Sequence, residues 1–285
     1  MSAQPYVIPS RRVTLLSELA KLPAFFRRDI LVAFSYRMAY VTDWVGLLVQ
    51  VALFYFIGQL VNPGALPMYG GRYTSYMEFV IVGIALGSFL QVALHRVSAG
   101  IRNEQLIGTL ESLLVTPTFP STVQLGTVFY DLLFVPVRTA IFLLLTTVAF
   151  GLGFHAAGFG PALLILISLI PFVWGLGVAN AGLMLTFRRG TGIVGFGASG
   201  LTLLSGAFFP LALLPVWLQA VARYNPLAIA IEGMRQVLLG NGGYSRALIA
   251  VAEIAPLSAW TFALGFWVFG LALRRERRLG TLGLY

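Results

Sequence analysis

The sequence predicts an all-α integral membrane protein that crosses the bilayer as six transmembrane helices, and three observations predict it. Of 285 residues, 58% are hydrophobic and 10% charged, with a mean hydropathy of +0.87, more apolar surface than one soluble core hides. The apolar residues gather into separate blocks long enough to cross about 30 Å of hydrocarbon. The basic residues flank these blocks instead of forming one solvated face, so the +9 charge reads as topology and not as nucleic-acid binding.

The elements follow in chain order. Met1–Arg12 is polar, holds Pro5 and Pro9, and lacks the short apolar core and cleavage site of a removed signal peptide. Leu15, Leu19, Leu22, Phe26, Ile30 and Ala33 then recur at steps of three and four, with Lys21, Arg27 and Arg28 off the stripe. That pattern predicts an amphipathic N-terminal helix lying on the cytoplasmic membrane surface, or packed on the protein's own cytoplasmic side. Pro23 is expected to kink or divide it. The six blocks are 41–61, 77–94, 123–150, 161–187, 193–214 and 249–273, each able to satisfy its backbone internally as a helix. Between the fifth and sixth, residues 215–248 are moderately apolar and carry Trp217, Tyr224, Pro226 and Tyr244, which suits short external interfacial or re-entrant helices.

Orientation comes from the basic residues. Arg11, Arg12, Lys21, Arg27, Arg28 and Arg37 precede the first block; Arg96, Arg102, Arg188 and Arg189 follow the second and fourth; Arg274, Arg275, Arg277 and Arg278 follow the sixth. The opposite side holds only Arg72, Arg223, Arg235 and Arg246. Cytoplasmic loops retain Lys and Arg, so both termini are predicted cytoplasmic. The chain reads as one domain over 1–285: a cytoplasmic or interfacial segment 1–40, the spans within 41–273, and a cytoplasmic tail 274–285. No internal repeat of the inverted kind is evident.

The chemistry is defined first by absence. A Walker A loop needs a lysine after a glycine-rich turn, and the lone lysine, Lys21, follows Leu19 and Ala20. GTGIVG (190–195) and GFGASG (195–200) match a dinucleotide fingerprint but sit in an apolar block, not between a strand and a helix. They read as helix-packing or flexible positions, as do Gly83 and Gly87. With no cysteine, two separated histidines, scattered acids and no H-E-x-x-H, no catalytic and no metal-ligating residue is assigned.

Arg138 lies within the third block, where a charge must face protein or water. Asp131 is on a similar face but about 10 Å away along a helix, so a partner on another helix is expected, or a role lining a path. The segment 95–120 is charged and then amphipathic through Ile107, Leu110, Leu113 and Leu114, which predicts a cytoplasmic helix that docks on another protein.

Two stretches carry a resemblance that covers most of the chain: GTLESLLVTP at 108–117, and LSGAFFPLALLPVWLQAVARYNPL at 204–227 leading into AIAIEGMRQVLLG at 228–240. In these the chain resembles the permease subunits of type-2 ATP-binding-cassette exporters. The resemblance implies a separate ABC ATPase subunit, two copies of each polypeptide, with a homodimer favoured, and a plasma (inner) membrane of a prokaryote. It implies no cofactor on this chain, with ATP and Mg bound by the partner. It makes the segment from Arg102 to Glu111 a coupling helix between spans 2 and 3, with Arg102, Glu104, Gln105 and Glu111 as polar contacts to the ATPase. It also makes Pro210, Pro215, Asn225, Pro226 and Glu232 an external re-entrant motif that closes the outer end of the path. Abundant phenylalanine and few charges lean towards a drug-like or lipid cargo, with a lipid-linked polysaccharide second. An ion-coupled carrier, or a membrane enzyme or assembly factor, are the rival classes.

Overall fold

The computed structural model describes residues 21–35, 37–62, 64, 66–107, 120–187 and 191–279. Among them the elements are α1 (Leu22–Ser35), α2 (Arg37–Gly58), a hairpin of β1 (Met68–Tyr69) and β2 (Arg72–Tyr73), α3 (Tyr76–Ile107), α4 (Pro120–Phe150), α5 (Phe159–Ser168), α6 (Ile170–Phe187), α7 (Thr191–Leu203), α8 (Val216–Ala222), α9 (Pro226–Leu238) and α10 (Gly243–Leu279). The chain is an all-α membrane protein with one two-stranded hairpin among the described residues. Tyr76–Arg96, Leu133–Phe150, Ala156–Met184 and Gly243–Arg275 are each long and apolar enough to cross a membrane, and Trp44–Gly58 is a shorter apolar helix.

Helix α3 is the central pillar. Phe79 to Leu86, Phe89 and Leu90 are buried on all sides, because α4, α6, α7, α9 and α2 all pack around it. Its start is a reciprocal cap: the Ser75 amide donates to Glu78 Oε2 at 3.0 Å and the Glu78 amide donates to Ser75 Oγ at 3.1 Å, satisfying two amides that the first turn leaves orphaned. The most extensive helix pair among the described residues is α6 with α10.

Two sequence expectations change, at the fourth and fifth blocks. Pro23 stands in the first turn of α1, where a missing N–H breaks no intrahelical bond; the residues before Lys21, on which its expected kink or division of the helix depends, lie outside the described residues. Leu15 and Leu19 of the predicted stripe lie outside the described residues. The stripe residue Phe26 meets Tyr130 with ring centroids 6.0 Å apart, so α1 rests on α4. The fourth block is two helices, since Pro171 has no N–H to return to the carbonyl of Ile167 and the helix breaks at Leu169. The fifth block is helical only to Leu203. Beyond it the chain turns through Gly206, whose φ of 70° favours glycine.

The small-residue face on α3 packs as expected. A Cβ on Gly83 would stand 2.1 Å from the Ala207 carbonyl oxygen, and one on Gly87 would stand 2.9 Å from Thr202. The glycines of α7 differ: Gly195, Gly197 and Gly200 meet nothing of this chain within 4 Å.

Candidate functional site

A densely hydrogen-bonded end of the helix array is built around α9. Asn225 caps it by accepting from the Leu227 amide at 3.0 Å, while its own side-chain amide donates to the Leu201 carbonyl at 2.9 Å. Pro226 at the first helical position loses no bond there. One residue therefore starts α9 and ties it to the end of α7. Asn225→Asp keeps the acceptor but turns a buried carboxylate on a carbonyl oxygen, so it is expected to destabilise by about 1–3 kcal/mol. A melting temperature equal to that of the unsubstituted protein would remove this tie.

Nearly three helical turns further along α9, Arg235 is 3% exposed. Its Nε donates to the Phe79 carbonyl at 3.0 Å, and one terminal nitrogen donates to the Gly206 and Ala207 carbonyls at 3.0 and 3.2 Å. The guanidinium also lies 3.5 Å from the Phe79 ring centroid, a desolvated cation–π contact. Burial pushes its pKa down, opposed by Tyr69 and Glu232, yet a guanidinium stays charged. Glu232 accepts from the Tyr69 hydroxyl at 2.7 Å and from Gln236 at 2.9 Å. Burial, and then the Glu232 carboxylate, raise the Tyr69 phenol well above its ordinary value, so it remains a donor at neutral pH. The Gly153 amide donates to Glu78 at 2.9 Å, and the His155 amide donates to the Leu238 carbonyl at 2.8 Å. These bonds join the hairpin, the starts of α3 and α5, the end of α7 and α9 into one polar cap.

Of the residues assigned to the external motif, Asn225, Pro226 and Glu232 fall on this cap. Pro210 and Pro215 precede the short 3-10 turn Leu211–Leu213 and α8 respectively, where their fixed φ starts each turn. Arg235, Tyr69 and Glu78 were not singled out from the sequence. The signal for Arg235 is its spacing: Glu232 and Arg235 are the charged residues of an otherwise largely apolar helix, three positions apart on one face.

Inside the helix array a cavity of about 410 Å³ is lined by α2, α3, α4 and α7. Its polar side chains include Gln50, Ser88, Gln91, Thr202 and Arg138. Arg138 is 5% exposed, and its guanidinium lies 5.8 Å from the Trp44 ring. The Asp131 side chain is outside the described residues, so its relation to Arg138 is not part of this geometry. Arg102, Glu104 and Gln105 occupy the last turns of α3, continuous with the span and not on a separate helix. Their side chains, and Glu111 entirely, lie outside the described residues. Among the described residues no group of three His, Cys, Asp or Glu could hold a metal ion.

A helical membrane chain with a cavity that holds several polar side chains and a hydrogen-bonded cap around α9 matches known proteins. Residues 22–239 match the family described as ABC-2 type transporter. The chain is also 28% identical over 207 residues to the inner membrane transport permease YadH of Escherichia coli K12, covering 69% of this chain and 77% of that protein. The YadH proteins of Escherichia coli O157:H7 and Shigella flexneri match to the same extent. Because the family match runs from α1 through α9 and so takes in both the cavity and the cap, the chain belongs to the ABC-2 type transporter family, as a permease subunit.

Proposed function

We propose that this permease is the membrane half of an ATP-driven exporter, powered by a separate ABC ATPase subunit. The observation that carries the reading is a transporter-family chain without a Walker lysine. Two permeases and two ATPases make the complex, with six passes per permease and both termini in the cytoplasm of a prokaryote's inner membrane. The relative's name, inner membrane transport permease, supports that location. The permease itself performs no covalent chemistry.

Several features support the mechanism. Helix α3 has 32 residues, about 48 Å at 1.5 Å per residue, against about 30 Å of hydrocarbon. Its last turns, carrying Arg102, Glu104 and Gln105, thus extend beyond its apolar span, where a docking ATPase would find them. Gly46, Gly195, Gly197 and Gly200 face open space, a surface that lets a second copy approach closely. The Arg138 cavity opens beside that face and supplies the path. ATP-driven closure then moves the α3 extensions and switches access from cytoplasm to exterior, which requires different contacts in the two nucleotide states. The cargo is hydrophobic or amphipathic, a drug-like molecule or a lipid.

Replacing Glu104 and Glu111 together by glutamine should weaken co-purification of the ATPase, or cargo-stimulated ATP hydrolysis in nanodiscs, by about tenfold or more. Unchanged complex formation and unchanged stimulation would defeat the docking assignment. A natively expressed permease that carries no ATPase and transports on an ion gradient alone would defeat the exporter reading.

A further inference from the structure

A second cavity, of about 440 Å³, lies between α8, α9 and α10, away from the Arg138 path. Its charged lining is balanced in an unusual way. Glu232, Gln236 and Arg246 already hold one another, with Gln236 donating to Glu232 and Arg246 donating to Gln236. Arg223 and Glu253 line the same cavity, and among the described residues neither side chain finds a hydrogen-bond or ion-pair partner. Glu253 also sits within Gly243–Arg275, a stretch apolar enough to cross the membrane. An ionised carboxylate there demands a cation or water.

Its surroundings specify the ligand further. Trp217, Tyr224 and Tyr244 are exposed on the elements that form the cavity, the aromatic pattern of a membrane–water boundary. Ile229 of α9 and Ile249 of α10 line the cavity, Leu248 stands exposed beside Ile249 on α10, and Val221 stands exposed on α8, so apolar chains have a surface to lie on. The cavity therefore faces lipid, with one unmatched cation and one unmatched anion at its polar end. Among the described residues no aromatic ring lines it, which argues against a cage for a quaternary ammonium. A primary ammonium, which can donate hydrogen bonds to a carboxylate, fits Glu253 better.

We propose that this cavity binds the headgroup of a zwitterionic phospholipid with a primary ammonium, phosphate on Arg223 and ammonium on Glu253, its acyl chains running along α9 and α10. Such a lipid would brace the external helices against α10, whichever cargo uses the path.

The full-length protein in detergent, titrated with phosphatidylethanolamine, phosphatidylcholine or phosphatidylglycerol and read by native mass spectrometry, tests this. Phosphatidylethanolamine should bind about tenfold more tightly than either other lipid, the worth of one charge-assisted hydrogen bond. Glu253→Gln should abolish that preference. Arg223→Gln should weaken all three lipids, and Arg223→Lys should restore them. Both side chains are exposed, and unchanged melting without added lipid will confirm that the variants fold. Equal binding of the three lipids, or a preference that survives Glu253→Gln, overturns the proposal. So does displacement of the lipid by equimolar phosphoethanolamine, which would make the ligand a free headgroup compound.

Discussion

Arg235→Met is expected to destabilise the solubilised protein by about 3–5 kcal/mol, the cost of breaking a buried charge arrangement from one side. Methionine approximates the volume but donates no hydrogen bond. The Phe79, Gly206 and Ala207 carbonyls each lose their guanidinium donor, and Glu232 loses the cation one turn away. Since each unsatisfied buried acceptor costs about 1–3 kcal/mol, relaxation and water entry must absorb part of the sum. Arg235→Lys should fall between, because one ammonium cannot span three carbonyls and stack on Phe79 as a planar guanidinium does. The exposed Arg278 supplies the comparison, with Arg278→Met expected within about 0.5 kcal/mol of the unsubstituted protein. Thermal unfolding in one detergent reads all three. If Arg235→Met melts with Arg278→Met, the guanidinium is not what holds the cap.

The second large effect belongs to the crossing of α6 and α10. A Cβ on Gly265 would stand 2.1 Å from the Gly175 carbonyl oxygen, and one on Gly175 would stand 2.5 Å from the Thr261 carbonyl oxygen. Backbone meets backbone there, so no side chain can rotate aside. Gly265→Ala should cost about 1–3 kcal/mol through overpacking, and Gly265→Val should exceed it. Gly270 lies on the same helix with nothing within 4 Å. Gly270→Ala should be neutral or stabilise by about 0.5–1 kcal/mol, because it removes glycine's backbone entropy from a helix interior. Equal behaviour of Gly265→Ala and Gly270→Ala would refute a close crossing.

Much of the architecture was legible because insertion into lipid depends on local runs of residues. The second, third and sixth apolar blocks, the α8 and α9 helices between the fifth and sixth, and the packing role of Gly83 and Gly87 all follow from run length, periodicity and residue size. The fourth and fifth blocks were less legible. An apolar run says that a segment is buried or lipid-facing, not where its backbone bends. The break at Leu169 depends on Pro171, and the turn after Leu203 depends on a left-handed Gly206. The Ser75–Glu78 cap was readable as a local motif, but block-reading by hydrophobicity passes over it.

The candidate sites divide in the same way. Asn225 and Pro226 announce a helix start because capping acts within two or three residues of the chain. Arg235 counted in the sequence only as one positive charge on the external side. Its acceptors come from residues 79, 206 and 207, and only folding brings those carbonyls to it. The same holds for Arg223 and Glu253, thirty positions apart and unremarkable singly until α8 and α10 face one cavity. Membrane class, helical periodicity and the missing Walker lysine were properties of the chain itself, since transfer energies and local motifs act residue by residue. Which buried charge locks the cap, which glycines touch backbone and which charges share a cavity were decided by tertiary packing, because each depends on segments that the linear order keeps apart.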